Sequence, residues 1–144
     1  MGGLISWLDS QKGNGLLLLR IALAVILITA GYGKLFNMGI PAVIERWTEA
    51  GLVAAPVLGT IVPILEFFGG IAILLGILTR LLGIWVIVQF ALIIIYVHPF
   101  VFLSEFGKYF VDISLLACGI ILATQGAGPA ALAGKLLAGK RWAE

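Results

Sequence analysis

The chain is expected to be an all-α membrane protein, a four-transmembrane-helix antiparallel bundle with a short interfacial helix after the first span. Three observations point to this class. Hydrophobic residues make up 62% of the 144 positions and charged residues 11%, against about a half and a quarter in soluble domains. The mean hydropathy is +1.18. Between Leu16 and Gln125 the sequence falls into four apolar stretches, most near the roughly 20 residues that a helix needs to cross hydrocarbon.

The organisation follows directly. Residues 1–15 are a short N-terminal segment, residues 16–126 the four-helix transmembrane domain, and residues 127–144 a C-terminal segment. The net charge of +2 comes from scattered basic residues, which excludes the basic patch of a nucleic-acid binder. Cys118 is the single cysteine and lies in an apolar stretch. One chain therefore offers no disulfide, CxxC pair or cysteine metal site, and no metal site is expected.

The first span runs from about Leu16 to Gly33, the second from Val57 to Leu78, the third from Leu81 or Leu82 to Val97, and the fourth from about Tyr109 to Gln125. The segment before the first span lacks the basic start and small-residue cleavage site of a secretory signal, so that span is read as retained. Only Thr79-Arg80 separates the second and third spans, which predicts a tight antiparallel hairpin. In the long first connection, Pro41 through Ala50 has proline at a helix start and Gly51 at its stop. Val43, Ile44 and Trp47 share one face and Glu45, Arg46 and Glu49 the other, the pattern of a helix lying in the interface. Pro129 to Trp142, with Lys135, Lys140 and Arg141, is expected to lie on the headgroups in the same way. With both termini on one side, that side holds Lys12, Arg80, Lys135, Lys140 and Arg141, and the other Lys34, Arg46 and Lys108. The bias places both termini in the cytoplasm.

Polar residues inside such spans are the site candidates. Glu66 sits in the middle of the second span, where a carboxylate costs about 2.5 kcal/mol or more on insertion scales. At 100° per residue, Arg20, Ala24, Leu27, Gly31 and Lys34 fall along one line of the first helix. Glu66, Gly69, Gly70, Ile73 and Gly76 do so on the second, Gln89 with Trp85, Ile93 and Tyr96 on the third, and Asp112, Gly119, Ala123 and Gly126 on the fourth. Four such faces turned inward give a bundle with a buried polar site, for which Glu66, Arg20, Lys34, Gln89, Asp112 and Tyr32 are the candidates. His98 and Glu105 in the third connection, with Lys34 and Asp112, are candidates for an outer cluster. Depth limits the pairs. Glu66 lies about 13 to 14 Å from the outer start of its span, and Arg20 about 12 Å from it along the normal, at 1.5 Å per residue. Lys34, Gln89 and Tyr32 remain as alternative partners.

These residues carry a resemblance. Leu19-Arg20-Ile21-Ala22-Leu23 with Ala30-Gly31-Tyr32-Gly33-Lys34-Leu35-Phe36, and Glu66-Phe67-Phe68-Gly69-Gly70 with Leu75-Gly76-Ile77-Leu78-Thr79-Arg80, resemble the signatures of the DoxX family of small bacterial and archaeal membrane proteins. The similarity extends over roughly Leu16 to Gln125. At the end the chain has Gly126-Ala127-Gly128-Pro129 where members commonly have a Gly-Pro-Gly-like turn and Ser-Leu-Asp, so no role carries over to that segment. The resemblance implies the cytoplasmic (inner) membrane of a prokaryote. It also implies a link to redox chemistry, since relatives are associated with a terminal oxidase or form the membrane part of a thiosulfate:quinone oxidoreductase.

Three readings stay open. In the first, the chain is a redox-associated subunit that binds quinone, or another small amphipathic molecule, among Tyr32, Glu66, Gln89 and Phe67 or Trp85, without a covalently bound cofactor. One His and one Cys do not make a bis-His haem or iron-sulfur site in one chain, so electrons would come from a partner subunit. Such a chain is at most a quinone-linked oxidoreductase subunit. In the second it is a non-enzymatic assembly factor or scaffold, and its small-residue faces make a homo-oligomer or hold a partner. In the third it is a small transporter or proton pathway.

Overall fold

The structure is a computed structural model that describes residues 3, 6–7, 10–52, 54–97, 106–128 and 131. It is all-helical among these residues. The elements are α1 (Lys12–Tyr32), continued by a wider π-helical turn Gly33–Met38; α2 (Ile40–Glu49); α3 (Ala55–Leu75); α4 (Thr79–Leu92), continued by a π-helical turn Ile93–Val97; and α5 (Phe106–Gln125). Three stretches, Gly13–Met38, Ala55–Leu75 and Thr79–Tyr96, are long and apolar enough to cross a membrane, and α5 supplies a further apolar helix. Side chains such as Val25, Ile61, Ile84 and Ile120 lie exposed on the outside of the bundle, where the lipid contacts them.

Glycines decide which helices pair. A β-carbon on Gly31 would come 2.5 Å from the backbone nitrogen of Phe67, and one on Gly70 would come 3.0 Å from that of Ile28. These two positions let α1 and α3 pack backbone to backbone. Gly83 meets Ala123 and Gly119 in the same way, which joins α4 to α5. The expected hairpin is thus only half realised. Gly76 to Leu78 is indeed a tight turn, with Gly76 at φ 75° and Leu78 at φ 52°, but α3 packs mainly on α1, and α4 mainly on α5. The physical reason is that Gly69 faces the bulk of Leu82 and Trp85, which holds α3 and α4 apart.

The central core is built of Leu23, Ala24, Leu27, Ile73, Val86, Phe90, Leu115 and Leu122. A second cluster of Val43, Trp47, Ala55 and Val62 lies under α2. The α2 helix starts after Gly39 with Pro41 in its first turn, where the sequence predicts a helix, but it buries Val43 and Trp47 against the protein. Ile44 sits over Gly59 of α3, where a β-carbon would come 2.8 Å from Ile44 Cγ1.

Arg20 ties the end of the bundle that carries the Gly76 turn. Its side chain is 1% exposed. It donates from Nε to the Ile73 carbonyl at 3.0 Å, from one terminal nitrogen to the Leu74 carbonyl at 2.7 Å, and from the other to the Ala127 carbonyl at 2.9 Å. The last carbonyls of a helix lack intrahelical partners. The Ile73 carbonyl also accepts the Gly76 N–H at 3.0 Å, and the guanidinium adds to that contact, pairs the Leu74 carbonyl and meets the negative end of the helix dipole. Arg80 makes a similar, more exposed contact, donating to the Thr124 carbonyl at 3.2 Å near the end of α5.

Candidate functional site

Glu66 is placed by the α1–α3 contact. Gly31 and Phe67 fix the two helices against each other, one turn before Lys34 on α1 and one residue after Glu66 on α3. Lys34 Nζ then donates to both carboxylate oxygens, at 2.6 Å to Oε1 and 2.5 Å to Oε2. From α4, Gln89 Nε2 donates to Oε1 at 2.5 Å. Glu66 is 1% exposed and Gln89 4%, so a carboxylate is held in the bundle by an ammonium and an amide from two other helices. This is the arrangement that makes a charge tolerable inside a membrane protein. Gln89 Oε1 is buried and has no hydrogen-bond partner among the described residues.

Beside this network lies a cavity of about 310 Å³. Leu27, Phe90 and Leu115 form much of its apolar wall, and Lys34, Glu66, Arg46 and Asp112 contribute the charged groups. The π-helical turns contribute Lys34 and Met38 from α1 and Ile93 from α4. Such turns are wider than α-helix and recur at functional sites.

The structure separates the sequence-derived candidates into groups. Lys34, Glu66 and Gln89 are in direct contact. Asp112, 7% exposed, shares the cavity with Lys34 and Glu66. Arg20 is not part of this group: it binds carbonyls at Ile73 and Leu74, seven and eight residues along α3 from Glu66, or about 10 Å or more. Tyr32 is half exposed and packs in tilted contacts with Phe36 and Phe67, with ring centroids 4.9 and 6.4 Å away. It makes no hydrogen bond to Glu66 among the described residues. His98 and Glu105, and the expected C-terminal interfacial segment apart from Ala131, lie outside the described residues. Among the described residues no group of three His, Cys, Asp or Glu could hold a metal ion.

Sequence reasoning missed the part α2 plays. Val43, Arg46 and Trp47 line the cavity, although the amphipathic pattern places α2 only at the interface. The signal was the pair of large apolar residues Val43 and Trp47 one turn apart on so short a helix. They need a neighbour to cover, and that neighbour is the start of α3 at Ala55, Leu58 and Val62, with Trp85 of α4.

A bundle of apolar spanning helices with a buried carboxylate–ammonium pair defines a small polytopic membrane protein with an internal polar site. The chain belongs to the DoxX family, whose family model matches residues 15–99. That match includes Arg20, Lys34, Glu66 and Gln89. No match was found among curated proteins or among solved structures.

Proposed function

We propose that this DoxX-family chain is an integral membrane subunit whose cavity binds a small amphipathic molecule. The observation that carries the reading is the Lys34–Glu66 pair in the wall of an otherwise largely apolar cavity of about 310 Å³. Pockets for small molecules begin at about this size and combine apolar walls with a few fixed polar groups.

A quinone is one molecule of this kind, and the side chains present fit one. Lys34 and Arg46 are hydrogen-bond donors suited to a ring oxygen, and Glu66 or Asp112 is a carboxyl group able to hold a proton beside it. When bound, a quinone supplies two-electron redox chemistry, with electrons arriving from a partner subunit. We place both termini on the cytoplasmic side of a prokaryotic inner membrane, on the distribution of Lys and Arg. The cavity then belongs to the outer half of the bundle.

One observation favours the scaffold reading. Both Glu66 oxygens are bonded within the chain, as interhelical ties in a purely structural core would be. Mass spectrometry of the organic extract of purified protein separates the two. A molecule bound at about one per chain and lost on filling the cavity with Ala30→Phe supports the ligand reading. An extract holding only bulk lipid, together with loss of a bound partner protein in Glu66→Gln, supports the scaffold.

A further inference from the structure

We infer that the ligand of this cavity carries an anionic head group and that Arg46 binds it. The inference rests on the ligand-binding reading above and specifies the charge of the ligand.

Four charged side chains line the cavity, and they differ in how far they are committed. Lys34 donates to both oxygens of Glu66. Asp112 takes part in an interaction of its own. The Arg46 side chain has no hydrogen bond or ion pair among the described residues, although Glu45 and Glu49 are close in sequence on the same helix. Its guanidinium offers five N–H donors in a planar fork that matches carboxylate or phosphate oxygens.

The charges are also ordered by depth. Glu66 and Asp112, the acids, are buried at 1% and 7% exposure, whereas Arg46 is exposed and the Lys34 side chain is 25% exposed. Cations therefore stand at the accessible rim and anions below, the lower pair held in contacts of their own. An amphipath entering with its apolar body towards Leu27, Phe90 and Leu115 leaves its head at that rim. Arg46 is adjacent to Trp47, which is buried and lines the same cavity, so the guanidinium is held on a seated helix rather than on a loose connection. A neutral head such as a quinone ring oxygen takes one N–H of this fork and leaves its charge unmatched, while an anionic head takes two and meets the charge.

The test uses the full chain in phosphatidylcholine nanodiscs, titrated with dodecyl phosphate, with dodecanol, and with inorganic phosphate. The expected result is saturable binding of dodecyl phosphate at one per chain, at least about tenfold tighter than dodecanol or inorganic phosphate. Arg46→Gln should weaken it by about tenfold, the scale of one charge-assisted hydrogen bond, and Arg46→Lys should restore part of the loss. Ala30→Phe should abolish it. Equal binding of dodecanol overturns the anionic head group but leaves the cavity a ligand site, whereas no binding of either alkyl compound overturns both readings. Inorganic phosphate binding as tightly as dodecyl phosphate overturns the amphipathic ligand in favour of a soluble anion. Undiminished dodecyl phosphate binding in Ala30→Phe places the anion on the surface and also overturns the inference.

Discussion

Gly31 lies so close to Phe67 that a β-carbon on it would stand 2.9 Å from the Phe67 Cα. The contact is between backbones, so neither helix can yield by turning a side chain. Lys34 reaches Glu66 only because α1 and α3 meet at this distance. Gly31→Ala should therefore cost about 1 to 3 kcal/mol, the usual range for overpacking. Thermal unfolding in maltoside should show a clear loss, and Gly33→Ala, where the added carbon meets nothing within 4 Å, should be close to wild type.

The Lys34–Glu66 pair predicts a non-additive mutant cycle. Removing one partner leaves a charge in the bundle without compensation, which costs about 3 to 5 kcal/mol when burial is complete. Partial exposure of Lys34 reduces this, and about 2 kcal/mol is expected for Lys34→Met. The double variant Lys34→Met with Glu66→Gln should recover most of the loss. If the two single losses simply add, the pair does not hold the helices together.

Arg20 should tolerate no conservative replacement. Three separate N–H groups reach the carbonyls of Ile73, Leu74 and Ala127, and a lysine ammonium cannot span three acceptors laid out for a planar fork. Arg20→Lys should lower stability by about 1 to 3 kcal/mol through loss of the hydrogen bonds to the Leu74 and Ala127 carbonyls. Because this contact is remote from Glu66, the same variant should leave binding in the cavity unchanged, as measured by ligand titration well below its unfolding temperature. Loss of binding without loss of stability would return Arg20 to the Glu66 site.

Much of this arrangement was legible in the sequence, and the exceptions have physical causes. The polar stripe of α1 is buried as its spacing predicts, because Arg20, Ala24, Leu27 and Gly31 recur at helical period. The distance from Lys34 to Glu66 was the harder quantity. Ending the first span at Gly33 leaves Lys34 at the helix end, whereas the helix continues to Met38, so Lys34 lies a turn inside and its long stem closes the rest. Nothing in hydropathy marks a helix that goes on past its apolar stretch. On α4 the buried stripe is Gly83, Val86 and Gln89 with Phe90 rather than Gln89 with Trp85, Ile93 and Tyr96. Gly83 turns that helix towards α5, and the π-helical turn at Ile93 shifts the phase beyond it, which a constant 100° step does not follow. The cavity itself is formed where α2 and the two π-helical turns meet the bundle, a meeting of segments far apart in the chain that no stripe on a single helix predicts.

The membrane orientation is open to a direct check. In a Cys118→Ser background, cysteines introduced at Asn14 and Gln125 should be labelled by an impermeant thiol reagent only after the membrane is opened. A cysteine at Glu49, exposed on α2, should be labelled in intact cells. The opposite pattern would invert the bundle and put the cavity in the cytoplasmic half.

The measurement that bears most directly on the account is a structure of the full chain in lipid nanodiscs, read at the cavity to which all five helices contribute. The account predicts ordered non-protein density with its polar end beside Arg46 and Lys34 and its apolar part against Leu27, Phe90 and Leu115. A closed cavity in which these side chains touch one another, with Lys34 still on Glu66, would contradict it and leave the polar network as a structural tie.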